Sequence, residues 1–176
     1  KFITKYLENR QSKKKQSVNS FYLLVTDRCN MNCKFCSINA SDTKINENEF
    51  SYKMLQNQIE TIKIINPKKV VISGGEPFVR EDIFEIIKLL SQTVGREKLM
   101  IETNGLLLTE TTIDKIAPYV STLEFSIENI IENAKLQNKF QRILNKLYEE
   151  NISTNLSFVV SSLNMCMLEK ALEFSA

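Results

Sequence analysis

The chain has 176 residues, of which 43% are hydrophobic and 25% are charged. This composition excludes a disordered polypeptide and suffices for one soluble domain with a sizeable core. Lys and Arg number 23 against 21 Asp and Glu, and the resulting formal charge of +2 is too small to favour nucleic acid as a partner.

The histidine and cysteine content narrows the possible chemistry. The sequence has no histidine, which excludes Ser-His and Cys-His nucleophile systems and the His-based zinc, non-haem iron and haem sites. A metal must therefore be bound by Cys, Asp, Glu or backbone oxygen. Three of the four cysteines lie close together and no signal peptide precedes them, so we expect a reducing, cytoplasmic setting rather than a disulfide scaffold.

The chain begins with a basic segment. Residues 1–20 contain six Lys or Arg and a single acidic residue, Glu8. This pattern predicts a solvated arm, with a specific contact to an anionic partner as the less favoured reading. The longest apolar runs, such as 21–25, are far shorter than the about 20 residues of a membrane span, so no membrane partner is expected.

From Phe21 onward, short aliphatic runs alternate with segments of helical period. The runs predict strands at 21–25, 70–72, 99–101, 123–126 and 156–160. The segments between them place apolar residues on one helical face, at Met54, Leu55, Ile59, Ile62 and Ile65, at Ile83, Ile86, Ile87 and Leu90, and at Leu136, Phe140, Ile143, Leu144 and Leu147. Breaks are predicted at Asn66-Pro67, Gly95, Asn104-Gly105 and Pro118, with Thr109 as an N-cap.

This order predicts an α/β fold, a partial (β/α) barrel with parallel strands and about five βα units. Five units do not close a barrel, the chain begins at Lys1 rather than Met, and a helical pattern is still running at Ala176. We therefore expect residues 21–176 to be a core truncated at its C-terminus. Functional residues should follow the strands, because sites of parallel βα folds lie at the carboxyl ends of the strands.

Three cysteines follow the first predicted strand in a C-x3-C-x2-C spacing, at Cys29, Cys33 and Cys36. Because closing such short loops costs little entropy, the three thiolates can converge on one metal centre. A structural zinc ion requires four ligands, whereas a [4Fe-4S] cluster with three cysteines keeps one iron open for a chelating substrate or cofactor. From the triplet alone, a zinc site completed by Cys166 or a carboxylate remains an alternative.

Two of the four glycines stand together after the second predicted strand, in Gly74-Gly75-Glu76-Pro77. Paired glycines at a strand end let the backbone approach a ligand closely, and Glu76 offers a carboxylate to an ammonium group. A tight turn with an exposed Glu is the plainer reading of these four residues by themselves.

In combination, these motifs resemble the radical S-adenosylmethionine superfamily. Further matches are Glu102-Thr103-Asn104-Gly105 after strand three and Ser126-Ile127-Glu128 at strand four, so the resemblance covers about residues 21 to 165. The Thr-Asp-Arg-Cys-Asn lead-in and the Gly-Gly-Glu-Pro-Phe stretch are most similar to one branch of that superfamily. The branch holds SPASM/twitch-type peptide maturases and molybdenum-cofactor cyclases.

The resemblance implies an iron-sulfur site. Cys29, Cys33 and Cys36 would hold a [4Fe-4S] cluster whose fourth iron is chelated by the amino and carboxylate groups of S-adenosyl-L-methionine. The implied activity is reductive cleavage of that cofactor to a 5′-deoxyadenosyl radical, which abstracts hydrogen from a substrate. A low-potential electron donor such as flavodoxin or ferredoxin is the implied partner.

Further cofactor contacts follow from the same resemblance. They are Phe35 along the adenine, Gly74, Gly75 and Glu76 at the methionyl end with Glu76 accepting from the α-amino group, Asn104 facing the cavity, Ser126 and Glu128 at the ribose hydroxyls, and Asn164 at the nucleoside. Ser126 and Glu128 are two residues apart, which predicts one strand face for both. Asn104 is equally typical of a turn and Asn164 of a helix N-cap, and Cys166 near that helix is predicted to be a packing residue.

The substrate class is predicted to be a peptide or protein. A small-molecule enzyme such as a molybdenum-cofactor-type cyclase is the alternative within the same chemistry. A non-catalytic zinc-binding interaction domain is the alternative of another class, and it predicts no role for Gly74, Gly75 and Glu76.

Overall fold

The computed structural model describes residues 18–44 and 49–175, along which strands and helices alternate. The strands are β1 Ser20–Leu24, β2 Lys69–Ser73, β3 Leu99–Thr103, β4 Thr122–Ser126 and β5 Ser153–Ser157. The α-helices are α1 Tyr52–Ile65, α2 Ile83–Val94, α3 Glu110–Ile116, α4 Ala134–Glu149 and α5 Leu168–Ser175. Short 3₁₀ turns lie at Pro77–Val79, Arg96–Lys98 and Met165–Met167. The predicted succession of five βα units is confirmed.

The strands form one parallel sheet in the order β1-β2-β3-β4-β5. Their register brings the carboxyl ends to one edge, as in the pairing of Leu24 with Ser73 and of Glu102 with Glu124. Within the described ranges the first and last strands do not pair with each other, so the sheet is open. The predicted partial barrel is confirmed.

Helices pack their predicted apolar faces on this sheet. The buried face of α2 consists of Ile83, Ile86, Ile87 and Leu90. From α4, Phe140 meets Phe125 of β4 edge-on, with ring centroids 4.9 Å apart. Burying side chains of this size contributes about 1.5–3 kcal/mol each. This packing fixes the strand ends that carry the site.

The helix ends follow the predicted breaks. The Thr109 hydroxyl accepts a hydrogen bond from the Thr112 amide at 3.1 Å and caps α3. Asn66 closes α1 in the left-handed region, with φ of 45°, and Gly95 closes α2 with φ of 93°. Each break returns the chain to the start of the next strand.

The predicted bounds of β5 were wrong. The strand begins at Ser153, beside Thr122, and ends at Ser157, beside Ser126, whereas the expected run was 156–160. Val159 and Val160 lie beyond the strand and are 49% and 45% exposed. An edge strand buries only part of its side chains, so the first half of β5 is polar and gives no apolar run to read.

The basic arm predicted for 1–20 lies, up to residue 17, outside the described residues. Val18 and Asn19 accept backbone hydrogen bonds from Lys68 and Lys69 at 3.0 and 2.9 Å and lead directly into β1. None of the helices in the described ranges combines the length and apolarity needed to cross a bilayer.

Candidate functional site

The cysteine segment is attached to the sheet through a continuation of the β1–β2 pairing. Beyond the strands, the Val25 amide donates to Ser73 O at 2.9 Å and the Gly75 amide donates to Thr26 O at 2.8 Å. The Glu76 amide then donates to Arg28 O at 2.9 Å. The backbone that leads into the cysteines therefore lies directly on the turn after β2.

The two adjacent glycines make this contact possible. A Cβ on Gly74 would lie 2.3 Å from Thr26 O, and a Cβ on Gly75 would lie 2.1 Å from Arg28 O. Gly74 also has φ of 130°, which side chains rarely allow. The paired glycines were predicted to let a ligand approach the backbone closely. In the structure the backbone of Thr26 and Arg28 makes this close approach, and both glycines also line the cavity described below.

The cysteine loop is closed at its base. The Cys29 amide donates to Ser41 O at 3.0 Å, and Arg28 and Ser41 form an isolated parallel bridge. Residues 29–41 therefore form a loop whose two ends lie side by side. A loop closed in this way holds its side chains with little further ordering cost.

A charged cluster lies beside the base of this loop. The Glu49 carboxylate accepts hydrogen bonds from the Thr26 hydroxyl and from Arg28 Nε, the latter at 2.7 Å, and lies 3.7 Å from the Arg80 guanidinium. Burial alone would raise the pKa of the Glu49 carboxyl, but the hydrogen bonds from Arg28 and Thr26 hold that pKa below its ordinary value.

Arg80 connects this cluster to the backbone. The residue is 5% exposed, and its guanidinium pairs with Asp82 at 2.8 Å and donates to Val25 O at 2.7 Å and to Phe50 O at 3.0 Å. The Arg80 side chain hydrogen bonds lower the pKa of the Asp82 carboxyl. The end of β1 is therefore held from two sides, by the β2 turn and by Arg80.

A cavity of about 420 Å³ opens at the carboxyl edge of the sheet. Most of the predicted site residues line it, namely Cys29, Cys33, Phe35, Cys36, Gly74, Gly75, Asn104, Ser126 and Glu128. A second cavity of about 490 Å³ adjoins it and shares Cys33, Phe35 and Glu128. The structure thus brings together side chains from the cysteine loop and from the ends of β2, β3 and β4.

All four cysteines are free thiols, and the three of the loop are half-buried. Burial raises the pKa of the Cys29 and Cys33 thiols, with partial opposition from a contact with Asn104 and Asn129 respectively. Across the described ranges, no three Cys, Asp or Glu side chains surround a position for a single metal ion. Cys166 is exposed in the turn after β5 and lines neither cavity.

Glu76 lies under the cavity wall rather than in it. Its side chain is fully buried, and its carboxylate accepts hydrogen bonds from the Asn104 amide at 2.8 Å, from the Phe78 amide at 3.2 Å and from the Thr103 hydroxyl at 2.9 Å. Burial raises the pKa of the Glu76 carboxyl, against the effect of these donors. The carboxylate ties the end of β2 to the end of β3.

Glu128 has an unsatisfied oxygen. β4 ends at Ser126, so the predicted shared strand face does not extend to Glu128, although both residues line the cavity. Glu128 is 6% exposed, and its Oε1 accepts from the Val159 amide at 2.7 Å while the buried Oε2 has no partner. A buried carboxylate oxygen without a donor is costly, which fits a site that receives a hydrogen-bonding group.

Asn104 and Asn164 occupy different positions. Asn104 Oδ1 accepts from the Leu106 amide at 2.9 Å, which forms the predicted turn, and its Nδ2 donates to Asn30 Oδ1 at 2.8 Å. Asn164 lines the second cavity, and its side chain donates to Val159 O and accepts from the Ser161 amide, both at 2.7 Å. Asn164 makes no side-chain cap of the following turn.

Several residues of the site were not predicted from the sequence. Glu102 and Glu124 line the cavity from neighbouring positions of β3 and β4, and Asn129 reaches it from the segment after β4. The polar positions of β4, which alternate with Leu123 and Phe125, were the available signal for a polar face.

Comparison with known proteins identifies the family. The model of the Radical SAM superfamily matches residues 23–175, so the chain belongs to that superfamily and the resemblance is confirmed. A GTP 3′,8-cyclase of Geobacter sulfurreducens is 32% identical over 114 residues, which make up 64% of this chain and 35% of that protein. The chain spans about a third of the length of the curated relatives that it matches.

Solved structures share the fold. Streptococcus suis SuiB bound to the precursor peptide SuiA has a TM-score of 0.71 at 17% identity, over 97% of this chain and 40% of that one. Native anSMEcpe with bound AdoMet has a TM-score of 0.66 at 16% identity, over 89% of this chain and 48% of that one. At such identities the likeness concerns the architecture of the partial barrel.

We expect Gly75→Ala to displace the cysteine loop. Its Cβ would meet Arg28 O at 2.1 Å, so the free energy of unfolding should fall by about 1–3 kcal/mol, as for other overpacked sites. Iron and sulfide content of the anaerobically reconstituted full-length protein should fall with it. Gly95→Ala is the control for destabilisation alone: its φ of 93° strains any side chain, but its Cβ meets the Glu97 side chain outside the cavity lining, so iron and sulfide content should be retained. Full iron content together with unchanged stability in Gly75→Ala would contradict the packing role.

We expect Glu49→Gln to lower the free energy of unfolding by about 1.5–3 kcal/mol at pH 7, because charged hydrogen bonds are lost. The folded-state pKa of Glu49 lies below the ordinary value of 4.5. Its contribution is therefore complete above pH 4.5 and is lost as the pH falls through the folded-state pKa. The difference between the two proteins should shrink in acid, as urea unfolding at pH 7 and pH 4 would measure.

The control for this comparison is Glu60→Gln. Glu60 pairs with Lys63 at 2.8 Å but is 76% exposed, and such surface pairs contribute little. A difference between Glu49→Gln and the unchanged protein that stays constant down to pH 4 would contradict the assignment.

Proposed function

We propose that Cys29, Cys33 and Cys36 bind a [4Fe-4S] cluster and that S-adenosyl-L-methionine binds beside it in the adjoining cavities. The observation that carries the proposal is that three free thiols line one cavity together with polar residues at the ends of β3 and β4. The buried, unpartnered Glu128 Oε2 adds a position for a donor group of the cofactor. The residues present therefore fit both groups.

A cluster fits the thiol arrangement better than a single zinc ion does. In a cluster each cysteine binds a different iron atom, so the sulfur atoms need not surround one point. The described side chains provide no set of three around a single position, and Cys166 is exposed and away from the cavity. These observations favour the cluster over a zinc-binding interaction domain.

The remaining residues would orient the cofactor. Gly74 and Gly75 would lie along its methionyl end, Ser126 and Glu128 would receive the ribose hydroxyls, and Phe35 would lie along the adenine. Phe35 and Glu128 line both cavities, which supports a cofactor that extends from one cavity into the other. Asn104 would face the methionyl end and Asn164 the nucleoside.

Glu76 would act mainly as a support. Its oxygens already accept from Thr103, Phe78 and Asn104, so it holds the turn on which Gly75 and the Arg28 backbone meet. The contact between Glu76 and the α-amino group of the cofactor stays a prediction.

When bound, the cluster and its cofactor supply reductive cleavage to a 5′-deoxyadenosyl radical, which abstracts hydrogen from the substrate. The chain's own task is to position the cofactor and to keep water from the reacting atoms. The buried base of the site, with Glu76 and Thr103 shielded from solvent, serves this exclusion.

The charge of the cavity favours a substrate other than a nucleotide. Within the described ranges its charged lining residues are Glu102, Glu124 and Glu128, and the adjoining cavity adds Lys34 and Glu132, so carboxylates outnumber cations across the two cavities. S-adenosylmethionine, with a sulfonium and an ammonium against one carboxylate, is attracted by such a field, whereas GTP is repelled. We therefore propose peptide or protein modification as the reaction class, in line with the peptide-bound neighbour. The cyclase reaction named in the curated relatives is the second candidate.

We expect Cys33→Ala to abolish both cluster and turnover in the full-length protein. Two cysteines cannot replace three iron ligands, so iron and sulfide content and 5′-deoxyadenosine formation after anaerobic reconstitution and reduction should fall to background. Cys166→Ala is the matched control and should retain both, because that thiol lies outside the cavities. A cluster that forms on the unchanged protein without 5′-deoxyadenosine would refute the catalytic proposal.

We expect GTP not to be a substrate. With reduced protein and S-adenosylmethionine, GTP should leave the rate of 5′-deoxyadenosine formation at its substrate-free level, since three carboxylates repel its phosphates. Chromatography with mass spectrometry should find no cyclised GTP. A GTP-dependent product would establish the cyclase alternative.

A further inference from the structure

Each sulfur of the cysteine triplet accepts an N–H donor, and Cys29 accepts a second one, from the Met31 backbone amide. Cys36 Sγ accepts from the Ala40 backbone amide at 3.3 Å, within the loop. Cys29 Sγ accepts from Asn104 Nδ2 at 3.8 Å, and Cys33 Sγ accepts from Asn129 Nδ2 at 3.9 Å. The two backbone donors belong to the loop itself, and the two side-chain donors come from the end of β3 and from the segment after β4.

Asn129 differs from the other donors in what else it contacts. The Ala40 amide belongs to the loop backbone, and Asn104 is also hydrogen-bonded to Asn30 and to the Leu106 amide. The Asn129 side chain is paired, within the described ranges, with two sulfur atoms, Cys33 Sγ and Met31 Sδ at 3.7 Å. Its exposed position carries no part of the core, so its contacts with the cysteine loop are its main structural feature.

A donor beside a cysteine sulfur changes the energetics of an iron-sulfur cluster. Reduction adds negative charge that the sulfur atoms share, and an N–H dipole directed at a sulfur stabilises the more negative state. Such a donor therefore raises the reduction potential, and its removal lowers it. Burial and net charge act on the same quantity, and the carboxylate of Glu128 next to Asn129 acts in the opposite direction.

We propose that Asn129 is a positioning residue that donates to the Cys33 sulfur and sets the reduction potential of the cluster. The inference rests on the proposed function, because it requires the cluster on Cys29, Cys33 and Cys36. The segment after β4 presents Glu128 to the cofactor. Through Asn129, the same segment is also a second support of the cysteine loop. This segment thus contacts the cofactor through Glu128 and influences reduction of the cluster through Asn129.

The test is the midpoint potential of the reconstituted full-length protein, measured by redox titration with electron paramagnetic resonance. Asn129→Leu keeps the size of the side chain and removes the donor. At a fixed solution potential we expect the ratio of reduced to oxidised cluster to fall about two- to fivefold, as for loss of one modest hydrogen bond. This equals about 20 to 40 mV, because a one-electron couple changes tenfold per 59 mV.

Two further variants make the result specific. Asn145→Leu, on the exposed side of α4, is the control and should leave the potential unchanged. Asn129→Asp replaces the donor by a carboxylate and should lower the potential further than Asn129→Leu does. Electron–nuclear double resonance should detect an exchangeable proton coupled to the cluster that both Asn129 variants lose.

The outcomes separate the two proposals. A cluster in Asn129→Leu with unchanged potential and an unchanged proton coupling would overturn the role of Asn129 and leave the proposed function standing. Failure of the unchanged protein to assemble a cluster would instead refute the proposed function. A potential that is unchanged in Asn145→Leu, lower in Asn129→Leu and lowest in Asn129→Asp supports the inference.

Discussion

The site depends on a parallel backbone pairing that continues past the ends of its two strands. Gly75 and Glu76 donate to Thr26 O and Arg28 O, and this contact is possible because neither Gly74 nor Gly75 carries a Cβ. The cysteine loop therefore starts as an extension of the sheet rather than as a free connection. The closed base of the loop and the cavity wall both take their positions from this backbone pairing.

Charged side chains form two groups near this backbone pairing, one of paired charges and one of unpaired carboxylates. Beside the base of the loop, Glu49 and Asp82 neutralise Arg28 and Arg80, so that the buried Arg80 guanidinium can donate to Val25 O at the end of β1. Above it, the cavity carries carboxylates without basic partners among its described lining residues. Paired charges are compatible with burial, whereas the unpaired carboxylates of the cavity attract or repel a ligand according to its charge.

Local patterns made most of the fold and the thiol triplet predictable. The face of α2 and the cysteine spacing each occupy one short stretch, so periodicity and loop length suffice to recognise them. The Glu49–Arg28 and Arg80–Val25 contacts join residues 21 and 55 positions apart, and charged residues of this kind read as surface in a sequence. The start of β5 and the reach of Asn129 were likewise set by neighbours across the sheet, which no single segment encodes.

The closure of residues 29–41 at Cys29 and Ser41 bears on how the protein matures. A segment whose two ends are already fastened together can change shape internally without transmitting the movement to the strands below. The cluster proposed for Cys29, Cys33 and Cys36 could therefore be inserted after the polypeptide has folded. Loss and reinsertion of that proposed cluster would likewise leave the strands in place.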